Sequence, residues 1–100
     1  MSEGMKRVAV IGAGTMGNGI AHVFAQSGHT VTLVDVHAAA LERAQATIDR
    51  NLDRLVAKER ISAEDKAATL ARLTTSTEMR GAVSDADLVV EAATERLDLK

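Results

Sequence analysis

A glycine-rich turn between an apolar run and a helical pattern constrains this chain more than any other feature. The turn, Gly12-Ala-Gly-Thr-Met-Gly17, directly follows the apolar run Val8 to Ile11. Such a run is typical of a strand buried on both faces of a parallel sheet. A second apolar run, Val31 to Val34, ends in Asp35. These segments predict a strand, a turn, a helix and a second strand ending in an acid, which is the pattern of a dinucleotide-binding unit.

Each glycine of the turn has its own reason to lack a side chain. Gly12 permits the sharp turn out of the strand, Gly14 lets the backbone approach a pyrophosphate, and Gly17 lets the helix pack closely on the sheet. The pyrophosphate is then expected at the start of the helix predicted over 15–27. Unpaired N–H groups and the helix dipole favour negative charge there.

Asp35 lies 21 residues beyond Gly14, close to the spacing of about 20 expected for an acid that binds the ribose. Its carboxylate can accept a hydrogen bond from a ribose 2′-hydroxyl and would repel a 2′-phosphate. The next residues, Val36 and His37, offer no arginine to receive such a phosphate. The pattern therefore favours NAD over NADP. On the residues alone, a turn or helix-capping aspartate is the alternative.

Composition excludes several classes of protein. The 100 residues carry a net charge of −2, no cysteine and one aromatic residue, Phe24. This leaves no disulfide or thiolate metal site and gives no basic, aromatic surface for nucleic acid. No segment approaches the ~20 apolar residues of a membrane span, so we expect a soluble, cytoplasmic protein.

The three histidines, His22, His29 and His37, lack metal-ligand spacing and have no nucleophile beside them. We therefore expect them to be surface or capping residues. The sequence predicts neither a metal site nor a catalytic residue.

The remaining pattern predicts an α/β fold of the Rossmann type. The first helix is expected to end at Gly28 as a left-handed cap, and to bury Met16, Ile20, Val23 and Phe24. A long helix over 38–60 has an apolar stripe and an opposite, charged face, which we expect to be solvated and to carry local ion pairs. Ser62-Ala-Glu-Asp65 starts another helix that runs to about residue 72. These two form a helical hairpin insertion.

A third strand is predicted over 74–77, a short helix over 78–83, and a fourth, buried strand over 87–90. Right-handed crossovers then give a doubly wound parallel sheet of order 3-2-1-4, with the nucleotide crevice at the carboxyl ends of the strands. The sheet is expected to be incomplete, because a doubly wound domain has two such halves and this chain holds little more than one. The outer edge of the fourth strand, with Leu88, Val89 and Val90, would then be exposed and could self-associate.

Asn51 and Lys58 lie seven residues apart along one edge of the long helix. On spacing alone, solvated side chains are the simpler interpretation. A ligand that lies along this edge could contact both.

Several segments together resemble the N-terminal NAD-binding part of the 3-hydroxyacyl-CoA dehydrogenases, particularly the 3-hydroxybutyryl-CoA dehydrogenases. The resemblance covers the chain after Met5 and is carried by the stretches Val10 to His22, Gly28 to Asp35, Ile48 to Leu52, and Ala86 to Glu95 with Lys100. The combination is far more specific than the glycine pattern alone.

The resemblance implies roles for individual residues. Asp35 would bind the adenosine ribose, and Glu95 and Lys100 would reach the NAD. The residues that wrap the pyrophosphate would be Gly12, Ala13, Gly14, Thr15, Met16 and Gly17. Asn51, Lys58 and Lys100 would contact the CoA part of an acyl-CoA substrate, where a lysine suits an anionic phosphate.

The family's reaction is the reversible oxidation of a (3S)-3-hydroxyacyl-CoA to the 3-ketoacyl-CoA, with hydride passing to NAD. The resemblance places the catalytic histidine, its carboxylate, and the serine and asparagine that bind the reacting oxygen beyond Lys100. Residues 1–100 are therefore expected to form the N-terminal part of the NAD-binding domain and to be inactive alone. The rest of that domain and a helical C-terminal domain, through which the parent would form a homodimer, are expected to be missing.

Three alternatives remain open. A sugar-acid dehydrogenase of the lambda-crystallin and gulonate dehydrogenase branch would share this half almost unchanged, although Lys58 argues weakly against it. A flavin-binding oxidoreductase can begin with the same glycines but usually has glutamate in place of Asp35. The third is a non-catalytic NAD-binding module.

Overall fold

The structure, a computed structural model, describes residues 6–92 as alternating strands and helices. The elements are, in chain order, β1 (Arg7–Ile11), α1 (Thr15–Gln26), β2 (Thr30–Val34), α2 (Ala38–Ala57), α3 (Ala63–Ala71), β3 (Leu73–Ser76), α4 (Met79–Asp85) and β4 (Leu88–Glu91). All the predicted elements are present. Most bounds agree with the prediction within two residues, and the largest difference is at the end of α2.

The strands form one parallel sheet of order β3-β2-β1-β4, which confirms the predicted topology. In the register of the sheet, Val10 of β1 lies between Leu33 of β2 and Val90 of β4. All four strands run in the same direction, so their carboxyl ends share one edge of the sheet. The glycine turn that follows β1 therefore lies beside the end of β2.

The core is built on the two inner strands. Val8, Ala9 and Val10 of β1 are buried, as expected for a strand covered on both faces. The long helix packs on the sheet through its predicted apolar stripe, whose buried members are Leu41, Ala44, Ile48 and Leu52. Leu55 of the same stripe is half-buried.

The face that α1 turns towards the sheet differs from the prediction. Met16 and Val23, which were expected to be buried, are 50% and 62% exposed. The half-buried Ile20 and Phe24 only border the core. The residues that α1 does bury are Gly17, Ala21 and Ala25. The helix approaches the sheet closely, so only small side chains fit between them and the large ones lie outside.

Two helix ends show left-handed backbone. Gly28 has φ +107°, as predicted, and the following His29 N–H donates to the Phe24 carbonyl. The end of α2 was predicted near residue 60, whereas the helix stops at Ala57 because Glu59 has φ +60°. Glutamate rarely adopts this conformation, so no residue type at this position signals the stop.

The helical hairpin begins its second arm with the predicted capping box. Ser62 Oγ accepts from the Asp65 N–H at 3.0 Å, and Asp65 Oδ2 accepts from the Ser62 N–H at 3.1 Å. Lys66 of α3 pairs with Asp49 and Asp53 of α2. The charged face of α2 is largely exposed, as predicted. Its ion pairs with Lys66, however, join α2 to α3, whereas pairs within α2 were expected.

At one side of the described sheet, β4 pairs with β1 and its other edge is open. Leu88 and Val89 are 41% and 44% exposed. The prediction of a buried fourth strand is therefore wrong for these residues, since they lie on an edge strand with a neighbour on one side. The expected exposed apolar edge is present, and self-association through it stays a prediction.

Gly17 and Gly19 provide a matched test of the contact between α1 and the glycine turn. A Cβ on Gly17 would lie 1.7 Å from the Gly12 carbonyl oxygen, whereas a Cβ on Gly19 would meet no atom within 4 Å. We expect Gly17→Ala to lower the free energy of unfolding by about 3 kcal/mol or more, because backbone atoms must move to accommodate the methyl group. Gly19→Ala should be neutral or stabilise by up to about 1 kcal/mol through helix propensity. Urea denaturation compares the two variants, and equal effects would contradict the close contact.

Candidate functional site

A cavity of about 430 Å³ opens at the carboxyl ends of β1, β2 and β4. The glycine turn forms one wall and the segment after β2 forms another. Its lining residues are Ile11, Gly12, Ala13, Gly14, Val34, Asp35, Val36, His37, Ala40, Met79, Glu91 and Ala92. This is the crevice that the strand order 3-2-1-4 predicts for a nucleotide.

The glycine turn is held by backbone contacts on both sides. Gly12 has φ +103°, a conformation that favours glycine, and its N–H donates to the Val34 carbonyl at 2.7 Å. On the other side, the Ala92 N–H donates to the Ile11 carbonyl at 2.8 Å. Gly17 approaches the Gly12 carbonyl so closely that a side chain would overlap it. The turn therefore has a fixed position relative to three strand ends.

The start of α1 is suited to an anion. Gly14 is the N-cap residue, and no side chain caps the helix there. Thr15 and Met16 of the first turn are exposed, and this turn contains no acidic residue. Its N–H groups and the positive end of the helix dipole are thus available to a phosphate. The glycine turn and this helix start fit a pyrophosphate.

Asp35 connects the end of β2 to the glycine turn. Its Oδ2 accepts from the Ala13 N–H at 2.9 Å, and its Oδ1 accepts from the His37 N–H at 2.9 Å. His37 Nδ1 lies 3.1 Å from the same Oδ1. The Asp35 side chain is 17% exposed. An ionised carboxylate has about four acceptor positions, so one on Oδ2 remains for a ligand hydroxyl.

The hydrogen bonds to Asp35 also favour its charged form. Partial burial raises the pKa of this carboxyl, but the backbone hydrogen bonds from Ala13 and His37, with the His37 imidazole, outweigh burial and bring the pKa below its ordinary value. Asp35 is therefore a carboxylate at neutral pH, able to accept but not to donate. Ionised in this position, it opposes a second negative charge.

The alternative interpretation of Asp35, a turn aspartate, describes half of its contacts. The bond from the His37 N–H is the local contact of an Asx turn. The bond from Ala13 spans 22 positions and joins the acid to the glycine turn. A turn aspartate accounts only for the local contact, so the bond from Ala13 shows in addition that Asp35 is held beside the glycine turn.

The structure brings some predicted site residues together and leaves others apart. Ala13 lines the cavity, but its N–H is already bonded to Asp35, so it is not available to a phosphate. Asn51 lies in α2, where its Oδ1 accepts from Arg54 Nη1 at 3.2 Å, and Lys58 is the exposed C-cap residue of that helix. Glu95 and Lys100 lie outside the described residues.

Several residues that line the cavity were not predicted as site residues, among them His37, Met79, Glu91 and Ala92. His37 was identified only as a surface or capping residue. It does occupy the N-cap position of α2, but its ring contacts Asp35 and not the helix. Its position two residues after the acid was the available signal. Met79 and Ala92 carry no chemical signature in the sequence.

The other two histidines have ordinary surroundings. His22 bonds to Gln26 at 2.7 Å, and His29 accepts from the Lys6 N–H and packs against Phe24 with ring centroids 5.6 Å apart. Within residues 6–92, no group of three or more His, Asp and Glu side chains is arranged to hold a metal. No helix in that part of the chain is long and apolar enough to cross a bilayer.

The fold and site define a dinucleotide-binding domain, and comparison with known proteins identifies its family. Residues 7–100 match the family described as 3-hydroxyacyl-CoA dehydrogenase, NAD binding domain. The chain belongs to this family, which confirms the resemblance seen in the sequence. Its cofactor is NAD, as Asp35 predicted.

Similar proteins include 3-hydroxybutyryl-CoA dehydrogenase of Bradyrhizobium diazoefficiens, which is 44% identical over all of this chain and 34% of the relative. The 3-hydroxyadipyl-CoA dehydrogenase of Escherichia coli is 47% identical over all of this chain and 21% of the relative. Among solved structures, (S)-3-hydroxybutyryl-CoA dehydrogenase from Ralstonia eutropha has a TM-score of 0.87 and 46% identity, covering 94% of this chain and 33% of that protein. The chain thus spans about a third or less of the length of these relatives.

The lowered pKa of Asp35 predicts a pH dependence of stability. Because the folded-state pKa lies below the unfolded value of about 3.9, the stabilisation is complete above that value and is lost as pH falls through the folded pKa. We expect the free energy of unfolding to fall more steeply between about pH 5 and pH 2 in the wild type than in Asp35→Asn. Urea titrations at several pH values measure this. Asp85→Asn, at the exposed end of α4, is the control. Parallel curves for wild type and Asp35→Asn would contradict the prediction.

Proposed function

We propose that this chain is the NAD-binding portion of an oxidoreductase that interconverts (3S)-3-hydroxyacyl-CoA and 3-ketoacyl-CoA. The observation that carries the proposal is the Asp35 carboxylate, bonded to the glycine turn at the mouth of the cavity. Family membership supplies the reaction class. The relatives are named for different acyl groups, and we propose 3-hydroxybutyryl-CoA as the substrate because that name recurs among them.

The residues of the site divide the binding of NAD between them. The pyrophosphate lies against the glycine turn and the first turn of α1, where Gly14, Thr15 and Met16 offer backbone and no negative charge. The free acceptor position on Asp35 Oδ2 takes a ribose hydroxyl. Bound NAD supplies the nicotinamide carbon that receives or gives up the hydride. The proposal also assigns contacts with NAD to Glu95 and Lys100, which lie outside the described residues.

The substrate-binding part of the proposal concerns the helical hairpin. Lys58 is exposed at the C-cap of α2, and its ammonium can approach an anionic CoA phosphate. Asn51, one of the polar residues on the same helix, is half-buried and keeps its amide N–H₂ for a ligand while its oxygen accepts from Arg54. Lys100 completes the proposed contacts with the acyl-CoA.

The catalytic groups of the proposed reaction are expected outside this chain. In the described residues, His22 and His29 are engaged away from the cavity and His37 is bonded to the ribose-binding acid. The homodimeric parent and the cytoplasmic location remain predictions. Nothing in the geometry favours the sugar-acid dehydrogenase or the non-catalytic module over this proposal.

Charge at Asp35 predicts the cofactor preference. We expect the chain to bind NADH at least about tenfold more tightly than NADPH at pH 8, because the ionised carboxylate opposes a 2′-phosphate. Isothermal titration calorimetry with both cofactors measures the ratio. Asp35→Asn should weaken NADH binding and reduce the ratio, whereas Asp85→Asn should change neither. Equal or tighter binding of NADPH by the wild type would contradict the proposed role of Asp35.

The chain alone should not turn over acetoacetyl-CoA with NADH, because the proton-transfer histidine is expected elsewhere. The decrease in NADH absorbance measures turnover, with buffer in place of the protein as the control. Turnover above this control would show that His22, His29 or His37 acts in proton transfer. Replacing each by glutamine would then identify which.

A further inference from the structure

His37 contacts the carboxylate of Asp35 through both its backbone and its ring, and it has no role in the proposed function. Its N–H and its ring Nδ1 both contact Asp35 Oδ1, at 2.9 and 3.1 Å. Its side chain is 78% exposed and lines the cavity. Ionised Asp35 can only accept, so the ring contact requires a proton on Nδ1.

The two charge states of the imidazole present different surfaces to a ligand. In the neutral ring with Nδ1 protonated, Nε2 is an acceptor and the charge of Asp35 is not neutralised. In the imidazolium, Nε2 becomes a donor and a positive charge stands beside the carboxylate. Only the second form attracts a phosphate group near Asp35.

The other charged groups at the cavity do not offer this function. Among the described lining residues, the ionisable side chains are Asp35, His37 and Glu91. Both α1 and α2 lack acidic residues in their first turns. Met79 is the residue that α4 contributes to the lining. His37 is therefore the cationic group that the described cavity can present to a 2′-phosphate.

We propose that His37 determines how strongly this site discriminates against a 2′-phosphate, and that its protonation relaxes the preference for NAD. The inference rests on the proposed NAD site. At alkaline pH, Asp35 alone acts on the phosphate and NADP is rejected. When the imidazole carries a second ring proton, it screens Asp35 and its Nε2–H can donate to the phosphate. NAD itself, which lacks that phosphate, is little affected.

The test is the ratio of the Kd values for NADP and NAD at about pH 8.5 and pH 5.5, a range that brackets imidazole titration. The 2′-phosphate also gains a proton near pH 6, so the ratio falls somewhat in any protein. His37→Gln is the essential comparison, because glutamine keeps a polar side chain at this exposed position and does not titrate. His22→Gln, which removes a histidine bonded away from the cavity, is the matched control.

We expect the wild-type ratio to fall, between the two pH values, roughly three- to tenfold more than the ratio of His37→Gln. His22→Gln should follow the wild type. A common pH dependence in wild type and His37→Gln would overturn the inference while leaving the NAD site intact. Absence of NAD binding at pH 8.5 in all three proteins would overturn the proposed function and the inference together.

A second measurement separates a charge effect from a structural one. By linkage, a ligand that prefers the imidazolium must raise the titration midpoint of the His37 ring. NMR titration of the ring should show an increase with NADP and little change with NAD. Equal midpoints with the two cofactors would contradict a direct role for His37, whatever the binding ratios.

Discussion

The close approach of α1 to the glycine turn is the contact on which the site depends. A Cβ on Gly17 would fall 1.7 Å from the Gly12 carbonyl oxygen, so the helix can start where it does only with glycine at position 17. This placement brings the uncapped helix start to the carboxyl ends of the strands. It also explains why α1 buries Gly17, Ala21 and Ala25 and leaves its large apolar residues outside.

Asp35 joins the two halves of the site. Its bond to the Ala13 N–H spans the gap between the end of β2 and the glycine turn, and the parallel pairing of β1 with β2 sets the width of that gap. The same bond helps to keep the carboxylate ionised. The carboxylate that holds the glycine turn is therefore also the group that we propose to bind the ribose.

The periodic and glycine-rich parts of the sequence predicted the fold well. The strand order, the apolar stripe of α2, the capping box at Ser62 and the left-handed Gly28 follow from local chemistry, and the structure has each of them. The errors fall where neighbouring residues in the sequence carry no signal of the structure. A left-handed glutamate ends α2 early, and the charged face of α2 finds its partner, Lys66, on another helix.

By itself, the sequence determined the class of fold, the family and the cofactor, because glycines, an acid and buried runs at fixed spacing have local physical reasons to occur together. Tertiary structure decided which groups remain available in the site. In the folded chain the Ala13 N–H is bonded to Asp35, the His37 ring lies against Asp35, and Met16 is exposed. These outcomes depend on how closely helix and sheet approach and on where strand ends meet, and spacing along the chain does not encode those distances.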